Sequence, residues 1–229
     1  MNSTHLFNSA RSAFIASFLI FALGVISFFA FEPSIGRTAS DVFLVTQSIT
    51  DETSFMASTT DVTLSPSISG LTGGTSSGTT TVRVLSNNNT GYNMTLAFSN
   101  TVAMQGNAFG GSIPNYTPAS TTVPDFTFSV GANTAEFAYT VSASSTSDLD
   151  TTFRNNGTLC NNASGGDTAF SCWFNPSTTP EIIVNRGTST PASGATTSIA
   201  FRLQVTSNPS PAIPEDTYTA TATLTAVNN

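Results

Sequence analysis

Apolar residues are spaced along this chain in two ways. From Ala13 to Phe31 (AFIASFLIFALGVISFFAF) nineteen residues pass without a charge. Beyond them apolar residues recur at every second position, between clusters of Gly, Pro, Asn, Ser and Thr. The first spacing predicts a helix that is apolar all round, and the second predicts β-strands with one face on a core. Tyr92, Met94, Leu96 and Phe98 alternate with Asn93, Thr95, Ala97 and Ser99. Asn87–Gly91 precedes them, and Val82 and Val84 flank Arg83 before that, so this region reads as a hairpin. Ile199, Phe201, Leu203 and Val205 repeat the alternation. The last run sets Tyr218, Ala220, Ala222, Leu224 and Ala226 against Thr217, Thr219, Thr221, Thr223 and Thr225, and should close a sheet.

Further strands are expected at Val42–Ile49, Val62–Ile68, Phe126–Val130, Phe137–Val141, Phe170–Phe174 and Ile182–Val184, with the Gly- and Pro-rich stretch from Asn100 to Pro124 as the long loop. No helical periodicity or internal repeat follows residue 40. About ten strands without a βαβ rhythm predict an all-β, antiparallel β-sandwich of Greek-key or jelly-roll, Ig-like wiring, preceded by an N-terminal hydrophobic helix. Residues 1–12 form the N-terminus, 13–31 the helix, 32–40 a linker and 41–229 one domain. Val42-Phe43-Leu44-Val45 is apolar on both faces. It belongs either to the centre of its own sandwich, the reading that a membrane tether favours, or to a sheet completed with another copy.

The run Ala13–Phe31 spans about 28 Å as a helix, close to the thickness of a bilayer's hydrocarbon core and longer than the usual core of a signal peptide. A retained anchor is the leading reading and a cleaved leader the alternative. Arg11 precedes the run and Glu32 follows it, so the charge bias places residues 1–12 in the cytoplasm and the domain outside. A single-pass membrane protein with an extracellular domain is expected; a secreted one is the alternative.

Charge narrows the choice of partner. The chain has six Lys plus Arg against thirteen Asp plus Glu, and every basic residue is arginine. Within 41–229, four arginines against twelve acids leave a formal charge of −8, which disfavours nucleic acid. The lone histidine, His5, lies outside the domain. Without histidine or lysine, the domain cannot assemble Ser-His-Asp, Cys-His or Ser-Lys nucleophiles. Hydrolysis by two carboxylates would fall to Asp51 with Glu52, Asp148 with Asp150, or Glu215 with Asp216. No enzyme activity or cofactor is expected.

Cys160 and Cys172 flank a Gly-Gly turn, and on the oxidising side of a membrane they read as a disulfide. Asp148, Asp150, Asn155 and Asn156 could supply oxygens to calcium, although their spacing matches no defined loop. Trp173 either points outward by alternation, where it could stack on a sugar, or caps the core beside the disulfide. Sequons stand at Asn88, Asn93, Asn115, Asn156 and Asn162.

Residues 62–98 (VTLSPSISGLTGGTSSGTTTVRVLSNNNTGYNMTLAF), 157–174 (GTLCNNASGGDTAFSCWF) and 211–229 (PAIPEDTYTATATLTAVNN) resemble uncharacterised exported surface proteins of small-genome uncultured bacteria. That resemblance brings no activity with it. The closing Pro-x-x-x-Tyr-Thr-x-Thr-x-Thr, Pro214 to Thr223, is similar to the last strand of spore-coat-U-type pilins and WxL surface domains, although the chain lacks the Trp-x-Leu signature. The expected function is that of a non-enzymatic surface protein, an adhesin or envelope structural subunit. The alternatives are a carbohydrate-binding module, a filament subunit that exchanges a strand through Val42–Ile49, and, more remotely, a carboxylate glycosidase. Expected partners are the membrane through 13–31 and a glycan or surface protein.

Overall fold

The structure, a computed structural model, describes residues 4–30 and 41–229, with side chains at 14–27 and 41–229. The chain divides into two compact units, Met1–Ser48 and Ile49–Asn229. The first holds one helix, α1 (Thr4–Ala30). Among the described residues, no helix is long and apolar enough to cross a membrane.

The second unit is an all-β fold with ten strands in three antiparallel sheets among the described residues. The large sheet has the order β1 (Thr53–Ala57), β2 (Gly74–Ser86), β8 (Ala195–Val205), β6 (Ala135–Ala143). Facing it is a sheet of β10 (Ala222–Asn228), β3 (Tyr92–Phe98) and β7 (Glu181–Arg186). A small third sheet joins β5 (Ser112–Ile113), β4 (Met104–Gly106) and β9 (Tyr218–Thr219). The β2–β8 ladder runs in register from Gly74↔Val205 to Val84↔Ala195. The inward side chains of the two larger sheets meet in one core. Val82 and Val84 of β2, Met94 and Phe98 of β3, Tyr139 of β6, Val184 of β7 and Ile199 of β8 are all buried there. Phe98 sets its ring against Phe137 at 6.3 Å and Tyr139 at 5.7 Å. This alternation of buried and open positions is what a half-buried strand requires.

Several expected elements fold differently. The hairpin across Asn87–Gly91 does not form: β2 pairs with β1 and β8, whereas β3 pairs with β10 and β7. Both strands carry large inward side chains, which face each other across the core rather than lie side by side. The turn therefore passes over the end of the sandwich, and Gly91 makes that possible. It has φ +78°, and a Cβ there would meet the Arg186 carbonyl oxygen at 1.9 Å.

Val42–Ile49 forms no strand, and its large apolar side chains, Val42, Phe43, Leu44, Val45 and Ile49, are 80–93% exposed. Val62–Ile68 makes only a single bridge, Ser65 to Ser77. Its Val62 folds over Gly78, where a Cβ would meet Val62 Cγ1 at 2.5 Å. Phe126–Val130 is irregular, because Phe128 leaves the main core to pack on Tyr116 and Trp173. Phe170–Phe174 is irregular because Phe170 and Cys172 take φ of +59° and +62°, which breaks an extended backbone. The closing Thr run splits at Ala220–Thr221: β9 joins β4 and β10 joins β3.

Candidate binding cleft

A cleft opens over one half of the large sheet, where the inward positions of β2 are small enough for residues 60–64 to fold over them. Those positions run Ser76, Gly78, Thr80, Val82, Val84, small over one half and bulky over the other. Opposite the small half stand Leu203, Phe201 and Ile199 of β8, and the facing sheet contributes Leu96, Phe98, Ala222 and Leu224. Between them lies the cleft, of about 980 Å³, bounded at its ends by segments 59–71 and 213–220. Its walls mix apolar side chains with many hydroxyls, among them Thr60, Thr63, Ser67, Ser76 and Thr80.

Asp61, Glu215 and Asp216 supply the charges around the cleft. Asp216 is fully engaged. Its carboxylate accepts backbone N–H bonds from Phe109 (2.9 Å), Ala108 (3.0 Å) and Thr217 (2.7 Å). Those donors, Phe109 first, hold its pKa below the ordinary value. A carboxyl held ionised in this way is a poor proton donor. Tyr218 donates its hydroxyl to the Pro214 carbonyl at 3.0 Å and so fixes the 213–220 wall; burial raises its pKa.

The predicted site residues lie elsewhere. Cys160 and Cys172 form a disulfide with Cα atoms 5.7 Å apart. The loop it closes wraps around Asn155, which exchanges backbone hydrogen bonds with Gly166 at 2.9 and 2.7 Å. Trp173 does not offer an exposed face to a sugar. It is 1% exposed and lies on the outer face of the large sheet, with Tyr116, Ala138 and Ala200, under Phe128. Its indole N–H donates to the Phe170 carbonyl at 2.9 Å, and the Arg202 guanidinium stacks 4.3 Å from its ring. Alternation did turn Trp173 away from the main core, but the loop carrying Phe128 buries it on the other side.

The four oxygen donors proposed for calcium are occupied by separate local bonds. Buried Asp148 pairs with Arg186 at 2.6 Å. Asp150 caps a 3₁₀ turn by accepting from Thr152 N. Asn155 Oδ1 accepts from Gly157 N and Thr168 Oγ1, and Asn156 Oδ1 from Thr158 N and Leu159 N. Among the described residues, no group of three or more His, Cys, Asp or Glu side chains could hold a metal ion. Of the sequons, only Asn156 is exposed. Asn115 uses its amide nitrogen to tie Thr101 O to Pro176 O, and Asn88 uses its own on Gly91 O and Asn229 O. Asn93 and Asn162 are half-buried.

The cleft itself escaped sequence reasoning. Its walls come largely from segments 59–71 and 213–220, most of which form no strand and carry no periodic signal. Neither family models, known proteins nor solved structures provide a match to this chain.

Proposed function

We propose that this is a non-enzymatic protein displayed at the cell surface, an adhesin or envelope structural subunit that is held at the membrane by α1 and works through its cleft. The observation that carries this reading is the cleft of about 980 Å³ between the two larger sheets, whose walls include Leu96, Ile199, Phe201, Leu203 and Leu224. Buried apolar surface is the main source of both stability and affinity, so an apolar wall left open is a cost to the monomer that binding recovers. The disulfide suits an oxidising compartment, and the charge of −8 with no lysine suits a partner other than an anion.

Fractionation of the producing cells, followed by protease shaving and intact-mass measurement of the released domain with and without reductant, tests this reading. The chain is expected with the membranes, its domain accessible from outside and its two cysteines oxidised. Recovery in the soluble cytosol with two free thiols would overturn it.

A further inference from the structure

Two parts of this chain carry apolar surface that the chain itself leaves uncovered. One is Val42–Ile49, exposed and unpaired with any strand among the described residues. The other is the cleft, flanked by β10, which ladders with β3 alone and lies at the edge of its sheet. Ala222, Leu224 and Ala226 face inward from β10, opposite the buried Phe98, Leu96 and Met94, yet remain open or half-open themselves. We propose that Val42–Ile49 of a second copy adds to the free edge of β10 and lays alternate side chains into the cleft, linking copies head to tail. This rests on the reading of the cleft as the binding surface and names its occupant.

A strand suits this site better than a small apolar ligand does. The β10 edge presents unused backbone N–H and C=O groups that an acyl chain cannot satisfy, and an added strand pairs them directly. Of the two faces of the segment, Phe43, Val45 and Ile49 form the more apolar and would enter the cleft. The segment carries no charge between Val42 and Ile49, so it meets no repulsion from Asp61, Glu215 or Asp216. The three large apolar side chains that enter bring on the order of 300 Å² of surface and the walls they cover as much again, short of the roughly 1,000 Å² of a stable interface, so the backbone ladder along β10 has to supply the rest.

Residues 50–52, which follow the segment, are tied to the end of the sandwich. Asn87 holds residues 50–52 on three bonds: its Nδ2 donates to Thr50 O, its Oδ1 accepts from Glu52 N at 2.6 Å, and its N–H donates to Glu52 O. Asp51 accepts from Asn228 Nδ2 at 2.6 Å, at the end of β10 remote from Ala222. Segment and cleft are different surfaces of one chain, so the contact is heterologous and propagates into a row of subunits along the membrane rather than closing as a two-fold dimer.

The test uses the full chain in detergent with its native disulfide kept. Single-cysteine variants at Phe43, Val45 or Ile49 are mixed with single-cysteine variants at Ala222, Leu224 or Ala226 and then oxidised. Neighbouring strands bring Cα atoms within disulfide reach. At least one pair is expected to give a covalent heterodimer, and the double variant of that pair, such as Val45→Cys with Leu224→Cys, a ladder on non-reducing gels. The double variant Phe43→Asp/Val45→Asp, at positions the domain does not use for folding, should abolish the ladder with the melting temperature unchanged. An internal disulfide confined to the monomer, no cross-link from any pair, or a ladder that survives the aspartates would each overturn the proposal. These outcomes concern purified protein and are independent of where fractionation finds it, so either reading can fail alone.

Discussion

The two halves of the large sheet follow the same alternating rule and reach opposite results. Over Val82 and Val84, the space between the sheets is filled by Tyr92, Met94, Leu149 and Val184, all essentially inaccessible to solvent. Over Ser76, Gly78 and Thr80, the facing Phe201, Leu203 and Leu224 stay half-buried around a cleft. Period-two spacing decides which face of a strand looks inward; only side-chain volume decides whether the interior is filled. The closed half is held by packing and cross-links, and the open half is left with apolar surface that a further strand can cover.

The largest expected effect breaks the comparison at its packed side. Phe153 is buried against Tyr139 at 5.9 Å and Phe174 at 6.2 Å. Phe153→Ala should cost about 3–5 kcal/mol, while Leu224→Ala in the cleft wall should cost about 1 kcal/mol, because its site is already partly hydrated. Urea unfolding of the two variants measures both, and equal losses would show the cleft to be closed in solution. Next in size is the disulfide. Replacing Cys160 and Cys172 by Ser should lower stability by about 3 kcal/mol through the freed loop of the unfolded chain. The same measurement checks it, and the cleft should keep its ligand-free shape because the bond lies outside its lining.

A smaller effect sharpens the contrast by adding volume rather than removing it. Ala222→Leu points into open space and should change stability by less than about 1 kcal/mol, whereas Ala138→Leu, beneath Trp173, should cost about 1–3 kcal/mol through overpacking. Thermal unfolding of both distinguishes a cleft from a collapsed core. If β10 receives a strand, Ala222→Leu should also reduce cross-linking with the segment, since the added methyls occupy its place.

Which way many strands face was legible in the sequence. Tyr92 to Phe98 and Ile199 to Val205 announced their faces, and Cys160 with Cys172 announced their bond, because period and export chemistry are local properties. The pairing of β3 with β10 was not legible, nor was the separation of β2 from β3, since five turn residues permit either a hairpin or an arch and the choice depends on strands far along the chain. Trp173 was readable in direction but not in burial, because the cover over it comes from Phe128, with no periodic mark. The apolar Val42–Val45 looked like core and is exposed, which is expected of a segment whose partner is not in its own sandwich. The cleft was not legible because much of its wall comes from segments 59–71 and 213–220, most of which form no strand and carry no periodic mark.

The smallest effect concerns the 107–109 loop, next to the cleft, which Asp216 holds by its hydrogen bonds to the Phe109 and Ala108 amides. Its folded pKa lies below the unfolded value, which for Asp is about 3.9. The contribution is therefore fully present above the unfolded pKa and is lost as pH falls through the folded one. Glu181 on β7 has the opposite sign: burial first, then the Asp150 charge, raises its pKa, so what it contributes is lost as pH rises. Acid should thus loosen the 107–109 loop while removing the cost of the partly buried charge at Glu181. Amide exchange at Ala108 and Phe109 is expected to quicken sharply below the folded pKa of Asp216, with no matching step in the melting temperature. Asp216→Asn should remove that step by weakening the same bonds at every pH. A loop whose exchange follows global unfolding across the whole range would show that the wall beside the cleft opens only with the sandwich itself, and that the two halves are one cooperative unit.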